Sequence, residues 1–255
     1  MQFTVEGDDG TPFDFECADT ITSRWVCRQI LVGKTYPVVP FADDVRIVFD
    51  VGANCGAATV HFARRYPDAT IHAFEPGSEA GAILQRNAAG FPNVQVHGFG
   101  LHSVDQVVPL YKGREDTILG SVFRRDINVD ESEPVQLRAG GAWAAEQGIR
   151  RIDVLKVDVE GCEVDVLESL VPLLATVKVL YVEYDSRAAR RDVARLVGAT
   201  HELYTGVMFL DQGECVYRRK ALADLDVASA FLRHLLTSGR TAAKSATDAA
   251  VEEVR

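Results

Sequence analysis

Apolar and polar residues alternate at the start of the chain, first around Phe3 and Val5 and again around Phe13 and Phe15, with GDDG between the two segments. Alternation on both sides of a turn predicts a β-hairpin. The segment ITSRWVCRQIL that follows is predicted to form a helix that stops at the next glycine. Residues 1–45 are therefore predicted to be an N-terminal hairpin and helix extension.

From residue 46 the pattern changes to apolar runs separated by segments of helical length. Such runs are typical of a parallel sheet that helices cover on both faces. The predicted strands are RIVFDV, TIHAFE, NVQVHGFGL, IDVLKVDV and VKVLYVEY. The predicted crossover helices are ATVHFARRY, EAGAILQRNAAG and EVDVLESLVPLL. We expect this α/β domain to span residues 46–222.

Three segments depart from the alternation of strands and helices. Residues 104–139 hold short strand-like pieces among charged and turn residues, which predicts a partly antiparallel insertion. After the fifth strand, RAARRDVARLVG predicts a helix, and ELYTGVMFL and ECVYRRK predict a hairpin around DQG. Residues 223–255 are predicted to form a closing helix with one apolar face and a flexible tail.

The composition narrows the class of protein. The chain has 255 residues and a formal net charge of −10, which argues against broad attraction to nucleic acid or to an anionic membrane. Its five cysteines show no C-x-x-C spacing, so neither a disulfide framework nor a zinc finger is indicated. Apolar runs are far shorter than the ~20 residues that span a bilayer, and the start lacks a signal-peptide pattern. We expect a cytoplasmic protein with no nucleic-acid or membrane partner, and the sequence leaves open whether it forms a homodimer.

The segment VFDVGANCGAAT carries the strongest local signal. A buried strand delivers Asp50, and Gly52, Asn54 and Gly56 follow immediately before a helix. Glycines at a strand-to-helix turn let the backbone approach a ligand closely and leave helix N–H groups directed at it. A dinucleotide site of the G-x-G-x-x-G type would need glycine at positions 54 and 57, where the chain has Asn54 and Ala57. The segment therefore predicts a cofactor loop of another kind.

Glu75 stands at the end of the second predicted strand and Pro76 follows it. Nucleoside-binding α/β folds place an acid here to accept hydrogen bonds from ribose hydroxyls. Together with the glycine loop, this acid favours a nucleoside without pyrophosphate, such as S-adenosylmethionine. The alternative is that Asp50 caps the next helix and Glu75 is a solvated strand end.

Polar residues also mark the later strands. Lys156 and Asp158 interrupt an apolar strand, and a strand period of two directs them and Glu160 to the same side. An unpaired charge in a parallel sheet costs several kcal/mol, so Lys156 and Asp158 should pair with each other, with a neighbouring strand or with a ligand. A structural ion pair is the alternative.

Glu183 ends the next strand and His102 follows the third, and the carboxyl ends of the strands should bring these side chains to one edge of the sheet.

In order and spacing, these motifs resemble the FkbM-type family of class I S-adenosylmethionine-dependent methyltransferases. FDVGANCG matches the family's D-x-G-A-N-x-G loop, and IDVLKVDVEGCE matches its I-D-x-x-K-x-D-V-E-G-x-E box. FEP after the second strand, Asn87 after its helix and VEYDS at the last parallel strand also fall where the family has them. The resemblance implies an α/β, Rossmann-like fold with a seven-stranded, mostly parallel sheet, helices on both faces and a short antiparallel insertion.

The resemblance also implies S-adenosylmethionine as the cofactor and methyl transfer, usually to a hydroxyl oxygen. The residues that it would place at the cofactor are Asp50, Gly52, Asn54, Gly56, Glu75, Pro76, Leu101, His102 and Asp158. The chain departs from the family pattern in RAGGAWAAEQG before the fourth strand and in Cys162, where alanine is commoner. The first departure concerns the acceptor pocket rather than the fold.

A hydroxyl acceptor must lose its proton during methylation. The candidate catalytic residues are Asp158, Glu183, Lys156, Glu160 and His102. The alternative to a general base is a divalent ion such as Mg²⁺, held by Asp158 and Glu183, that acidifies a coordinated hydroxyl. We favour the version without metal because only two carboxylates are well placed, and a magnesium site normally retains waters or substrate oxygens that a sequence does not show.

The predicted function is O-methylation of a hydroxyl on a small molecule or glycan, with a sugar, a polyketide and other natural products all open as acceptors. Tyr36, Ser121 and Trp143 are candidate pocket residues, although each could equally serve packing. One alternative is a catalytically silent, cofactor-binding partner subunit. A nucleic-acid methyltransferase is a weaker alternative, because the chain is acidic and has no N-P-P-Y-like loop.

Overall fold

A computed structural model describes residues 1–7, 10–39, 41–113, 121–122 and 128–222 of the chain. The predicted closing helix and tail lie outside these residues. Within them, each helix is too short or too polar to cross a membrane.

The N-terminal extension has the predicted form. Strands β1 (Gln2–Glu6) and β2 (Pro12–Glu16) pair as an antiparallel hairpin, and helix α1 (Ile21–Leu31) follows. Thr20 begins α1, since its side chain accepts a hydrogen bond from the backbone N–H of Ser23.

The rest of the described chain contains both strands and helices. In chain order they are β3 (Ile47–Val51), α2 (Ala57–Arg65), β4 (Thr70–Phe74), α3 (Ser78–Ala88), β5 (Val94–His97), β6 (Gly100–His102), β7 (Gln106–Gly113), β8 (Asn128–Ala139), α4 (Gly140–Glu146), β9 (Val154–Val157), α5 (Glu163–Ser169), α6 (Val171–Leu174), β10 (Val179–Tyr184), α7 (Arg187–Val197), β11 (His201–Met208) and β12 (Gly213–Arg219).

Seven of the strands form one sheet in the order β11-β12-β10-β9-β3-β4-β5. Strand β12 runs antiparallel to both of its neighbours, and the strands from β10 to β5 are parallel to one another. This order reverses between β3 and β9, and ligands in open α/β sheets bind at such a reversal, outside the carboxyl ends of the strands. The predicted Rossmann-like, mostly parallel sheet of seven strands is confirmed.

Apolar side chains cover the sheet on both faces, as the continuous apolar runs predicted. On one face, Phe49 and Leu155 pack in a cluster with residues of α5 and α7. On the other face, Val48 and Val154 pack in a cluster with Phe62 of α2. Neighbouring residues of one strand thus enter different cores, which fixes the register of the central strands.

The predicted insertion is a separate three-stranded sheet. Strand β8 lies between β6, to which it is parallel, and β7, to which it is antiparallel. The prediction of one continuous strand over NVQVHGFGL was wrong: β5 belongs to the main sheet, whereas β6 belongs to the smaller one. Glycines at positions 98 and 100 flank the bend, where the chain leaves the main sheet.

Two helices also differ from the sequence expectation. The single helix predicted over EVDVLESLVPLL is divided into α5 and α6 at Leu170, because Pro172 in the first turn of α6 has no N–H to continue the preceding helix. The segment RAGGAWAAEQG contributes α4, which the apolar pattern did not predict. Trp143 of α4 is buried and packs edge-on against Phe74 and Phe49, so it is a core residue rather than a pocket residue.

Candidate active site

The predicted cofactor loop joins β3 to α2 and approaches the chain after β9 very closely. Gly52 has a φ of +80°, and a Cβ placed on it would lie 1.8 Å from the carbonyl oxygen of Asp158. Gly56 has a φ of +91°, and its Cβ would lie 2.6 Å from Leu84 Cδ1. Asn54 also adopts a left-handed conformation, with a φ of +48°. The loop therefore needs glycine at two positions for packing as well as for backbone conformation.

Asp50 supports this loop from within the sheet. Its side chain is fully buried, Oδ2 accepts a hydrogen bond from Thr59 Oγ1 at 2.6 Å, and Oδ1 lies 3.2 Å from Lys156 Nζ. Both carboxylate oxygens are thus directed at groups of the protein. The structure places Asp50 beneath the loop, where it fixes the start of α2 through Thr59.

Lys156 is the charged centre of the site. Its Nζ donates to the carbonyl oxygen of Gly52 at 2.7 Å and lies 3.2 Å from Asp50 and 3.4 Å from Asp158. Burial alone would lower the pKa of Lys156, but the charges of Asp50 and Asp158 outweigh it and raise the pKa. Lys156 therefore stays protonated and joins the carboxyl ends of β3 and β9. The ion pairing that was predicted for Lys156 is therefore present.

Asp158 shares a hydrogen bond with Glu183 at the carboxyl edge of the sheet. The hydroxyl of Tyr36 donates to Asp158 Oδ2 at 3.1 Å. Burial tends to raise the pKa of Asp158, but Lys156 and the hydrogen bonds from Glu183 and Tyr36 hold it below its usual range. The negative charge of Asp158, followed by burial, raises the pKa of Glu183 well above its usual range. The opposite shifts belong to one coupled pair, which is expected to share a single proton at neutral pH.

Glu214 is a third carboxyl group of this site, and the sequence analysis missed it. It lies directly opposite Glu183 in the register of β10 and β12, and it lines the same cavity. Burial and then the charge of Asp158 raise the pKa of Glu214 to about 8. Because β12 is antiparallel, its first residues lie at the carboxyl edge of the parallel strands. The antiparallel direction of β12 was therefore the signal that could have identified Glu214 from the sequence.

Glu75 closes the other side of the glycine loop. Its two carboxylate oxygens accept hydrogen bonds from the backbone N–H groups of Asn54 and Gly77, each at 2.8 Å. Burial raises the pKa of Glu75 to about 7, against the opposing effect of these two hydrogen bonds. The neighbouring Pro76 and the buried Leu101 line the same cavity.

His102 interacts with Ser103 and Asp165 and is not among the residues that line the cavity described below. Its Nδ1 lies 3.2 Å from Ser103 Oγ, and its Nε2 lies 3.7 Å from Asp165 Oδ2. Among the described residues, His102, Cys162 and Asp165 form the group of three metal-capable side chains whose ligand atoms lie within 4.8 Å of one another. The structure brings Asp158 and Glu183 together, and none of the described His, Cys, Asp or Glu residues completes a group of three with them in that range.

Glu160 follows Asp158 in a tight turn. It has a φ of +55°, and its carbonyl oxygen accepts a hydrogen bond from Ser121 Oγ at 2.9 Å. Glu163 stabilises the same turn, because its Oε1 accepts from the N–H of Gly161 at 2.9 Å. Glu160 and Ser121 both line the cavity, as predicted for Ser121.

These residues surround one cavity of about 930 Å³ at the carboxyl edge of the sheet. Ligand sites in proteins commonly have volumes of about 300–1,000 Å³, so this cavity is large for a single small molecule. Its lining includes Gly52, Asn54 and Glu75 on one side and Asp158, Glu183 and Glu214 on the other. The cavity thus joins the predicted cofactor loop to the carboxyl cluster.

Comparison with known proteins identifies the domain. Residues 50–218 match the methyltransferase FkbM domain. Methyltransferase 1 of Beauveria bassiana (strain ARSEF 2860) is 31% identical over 178 residues, which cover 58% of this chain and 67% of that protein. Methyltransferase sdnD of Sordaria araneosa is 28% identical over 181 residues, or 59% of this chain and 70% of its own length.

Among solved structures, the fibrillarin pre-rRNA processing protein of Methanococcus jannaschii aligns with a TM-score of 0.48 at 13% identity, over 86% of this chain and 83% of that one. The family match extends over the glycine loop, the turn after β9 and the paired carboxyl groups. The chain belongs to the FkbM family of S-adenosylmethionine-dependent methyltransferases.

Proposed function

We propose that the protein methylates a hydroxyl oxygen of a small molecule or glycan. The observation that carries this proposal is the pair of acidic side chains, Asp158 and Glu183, that line the cavity, with the hydroxyl of Tyr36 donating to Asp158 Oδ2 at 3.1 Å. The backbone of Asp158 packs against Gly52 of the cofactor loop. A proton acceptor therefore lies next to the site where the methyl donor is expected.

The residues around the glycine loop fit the nucleoside part of S-adenosylmethionine. This cofactor supplies a methyl group on a positively charged sulfur. Each carboxylate oxygen of Glu75 accepts one backbone hydrogen bond and keeps a further lone pair, so the group can also accept from ribose hydroxyls. Asn54, Gly52, Pro76 and Leu101 would complete the binding surface, and Asp50 would support it through Lys156 and Thr59.

The carboxyl pair is suited to removing a proton from the acceptor. Asp158 is ionised and accepts hydrogen bonds, so it can orient an acceptor hydroxyl in the cavity. The pair carries one proton on two carboxyl groups, so it can accept the proton that this hydroxyl loses. General-base catalysis of this kind contributes roughly 10²–10⁴-fold to a rate. We propose a reaction without metal, with Lys156 as the residue that keeps Asp158 ionised.

The proposed acceptor is a small molecule or glycan rather than a nucleic acid. The formal net charge of −10 opposes attraction to phosphate backbones. At the cavity itself, the ionised carboxylate of Asp158 adds negative charge.

The test is formation of S-adenosylhomocysteine by the purified protein with a panel of hydroxyl acceptors. Asp158→Asn and Glu183→Gln should each lower kcat by about 10²–10⁴-fold and leave affinity for S-adenosylhomocysteine nearly unchanged. Glu168→Gln, on the exposed side of α5, is the matched control and should keep full activity. Full activity in Asp158→Asn would contradict the proposed base. A wild-type protein that binds the cofactor but turns over no acceptor would be a silent partner subunit.

A further inference from the structure

Large apolar side chains are exposed at the tip of the β11–β12 hairpin. Val207, Phe209 and Leu210 are 64%, 63% and 58% exposed. Val207 and Phe209 also line the active-site cavity. Soluble proteins rarely expose contiguous apolar patches unless the patch binds something. We call these three residues the hairpin tip.

The hairpin tip is held in place by the strand that carries Glu183. Tyr184 follows Glu183 in β10, and its hydroxyl donates to the carbonyl oxygen of Phe209 at 2.7 Å. The N–H of Phe209 donates to the carbonyl oxygen of Gln212 at 3.0 Å. The backbone of the tip is therefore fixed relative to the carboxyl pair, while its side chains remain exposed.

Helix α1 contributes a second exposed apolar surface to the same cavity. Trp25 is 63% exposed and lines the cavity, and Val26 and Ile30 of the same helix line it as well. The cavity is thus lined by apolar side chains of the hairpin tip, by apolar and polar side chains of α1, and by carboxyl groups at Asp158 and its neighbours.

The acidic part of the cavity opposes an anionic ligand. Asp158 is ionised, and Glu183 and Glu214 add further carboxyl groups beside it. The ammonium group of Lys156 already contacts Gly52 and two carboxylates, and Lys112, which also lines the cavity, forms an ion pair with Glu131. Among the residues that the structure describes, the lysines that line the cavity are therefore already paired, and a carboxylate, sulfate or phosphate on the acceptor would face the ionised Asp158.

We infer that the acceptor is an uncharged hydroxyl compound with an apolar body, and that Val207, Phe209 and Trp25 bind this body while its hydroxyl reaches Asp158 and Glu183. This inference rests on the proposed function and narrows it. A free sugar or polar glycan offers only the small C–H faces of its rings, which cover less of the hairpin tip than a hydrocarbon body does. An apolar body removes these side chains from water and gains the corresponding free energy.

The experiment measures binding of three probes to the full chain saturated with S-adenosylhomocysteine. The probes are 1-octanol, octanoate of the same chain length, and methyl glucoside, and ligand-observed NMR titrations give each Kd. The test variant is Val207→Ser/Phe209→Ser. The control is Val107→Ser, since Val107 of β7 is 71% exposed and does not line the cavity.

The wild-type protein and the control should bind 1-octanol at least about tenfold more tightly than octanoate or methyl glucoside, and the double variant should lose about tenfold in octanol affinity. Equal binding of octanol and octanoate, or unchanged octanol binding by the double variant, would overturn the inference. If the double variant binds octanol as the wild-type protein does and differs only in sedimentation, the inference fails and the hairpin tip is a contact between copies of this chain. Normal S-adenosylhomocysteine binding and methylation of polar acceptors would leave the proposed function standing while this inference fails.

Discussion

Replacement of Lys156 by methionine tests the electrostatic design of the site. Methionine fills a similar volume but removes the ammonium group that lies 3.2 Å from Asp50 and 3.4 Å from Asp158. Asp50 is fully buried, so its carboxylate would remain without its cation in a medium that solvates charge poorly. Breaking a buried ion pair by removing one partner costs about 3–5 kcal/mol. We therefore expect Lys156→Met to lower the free energy of unfolding by about that amount.

The assay is urea unfolding at neutral pH, supported by thermal unfolding. In a chain of this size a loss of about 3–5 kcal/mol corresponds to a fall in Tm of roughly 6–20 °C. Lys178→Met is the matched control, because Lys178 also pairs with a buried aspartate, Asp153 at 3.6 Å. Asp153 keeps its ion pair with Arg151 and two backbone hydrogen bonds, so the control should lose about 1 kcal/mol or less.

A double variant separates loss of charge from loss of packing. Asp50→Asn removes the carboxylate that Lys156→Met leaves unpaired, so the two changes together should recover part of the stability that Lys156→Met loses. Equal destabilisation by Lys156→Met and Lys178→Met would refute the reasoning. So would a double variant whose loss equals the sum of the two single losses, because the two residues would then act independently.

Three further predictions concern the cofactor loop, Glu75 and metal dependence. Gly52→Ala should destabilise the protein by more than about 1 kcal/mol and weaken S-adenosylhomocysteine binding in calorimetry. Gly98→Ala, whose Cβ meets nothing within 4 Å, should do neither. Equal behaviour of the two variants would contradict the packing role of Gly52. Burial raises the pKa of Glu75 from 4.5 to about 7, so ionisation of this group lowers the free energy of unfolding as the pH rises from about 4.5 to 7. In urea unfolding at several pH values, Glu75→Gln should remove up to about 3 kcal/mol of this decline. The same pH dependence in the variant and the wild-type protein would contradict the shifted pKa of Glu75. Turnover should survive EDTA, and loss of activity that Mg²⁺ restores would assign a metal to Asp158 and Glu183.

The fold was predictable because strand and helix periodicity are local properties of the chain. The apolar runs before Asp50 and Lys156 indicated strands buried on both faces, and the structure has them in the centre of the sheet. The β5–β6 boundary was not predictable in this way. Apolar residues continue through both strands, and it is pairing with β8, some 35 residues later in the chain, that separates them.

The site was predictable to the extent that parallel strands bring their ends together. Glycine spacing and the strand-end acids located the cofactor loop and the pair of Asp158 and Glu183. Glu214 was missed because its position depends on the antiparallel register of a hairpin, which the alternation of apolar residues does not report. The orientation of His102 toward Asp165 likewise depends on how β6 packs on α5, a contact between segments about 60 residues apart.

The most direct test of cofactor use is calorimetric titration of the purified protein with S-adenosylmethionine and S-adenosylhomocysteine, alongside Glu75→Ala and Asp50→Ala. Glu75 accepts two backbone hydrogen bonds of the cofactor loop, and Asp50 supports that loop through Lys156 and Thr59. We expect micromolar binding of both compounds to the wild-type protein and clearly weaker binding to each variant. Absence of binding to a folded wild-type protein, or binding to both variants with the wild-type affinity, would contradict the assignment of this cavity to S-adenosylmethionine.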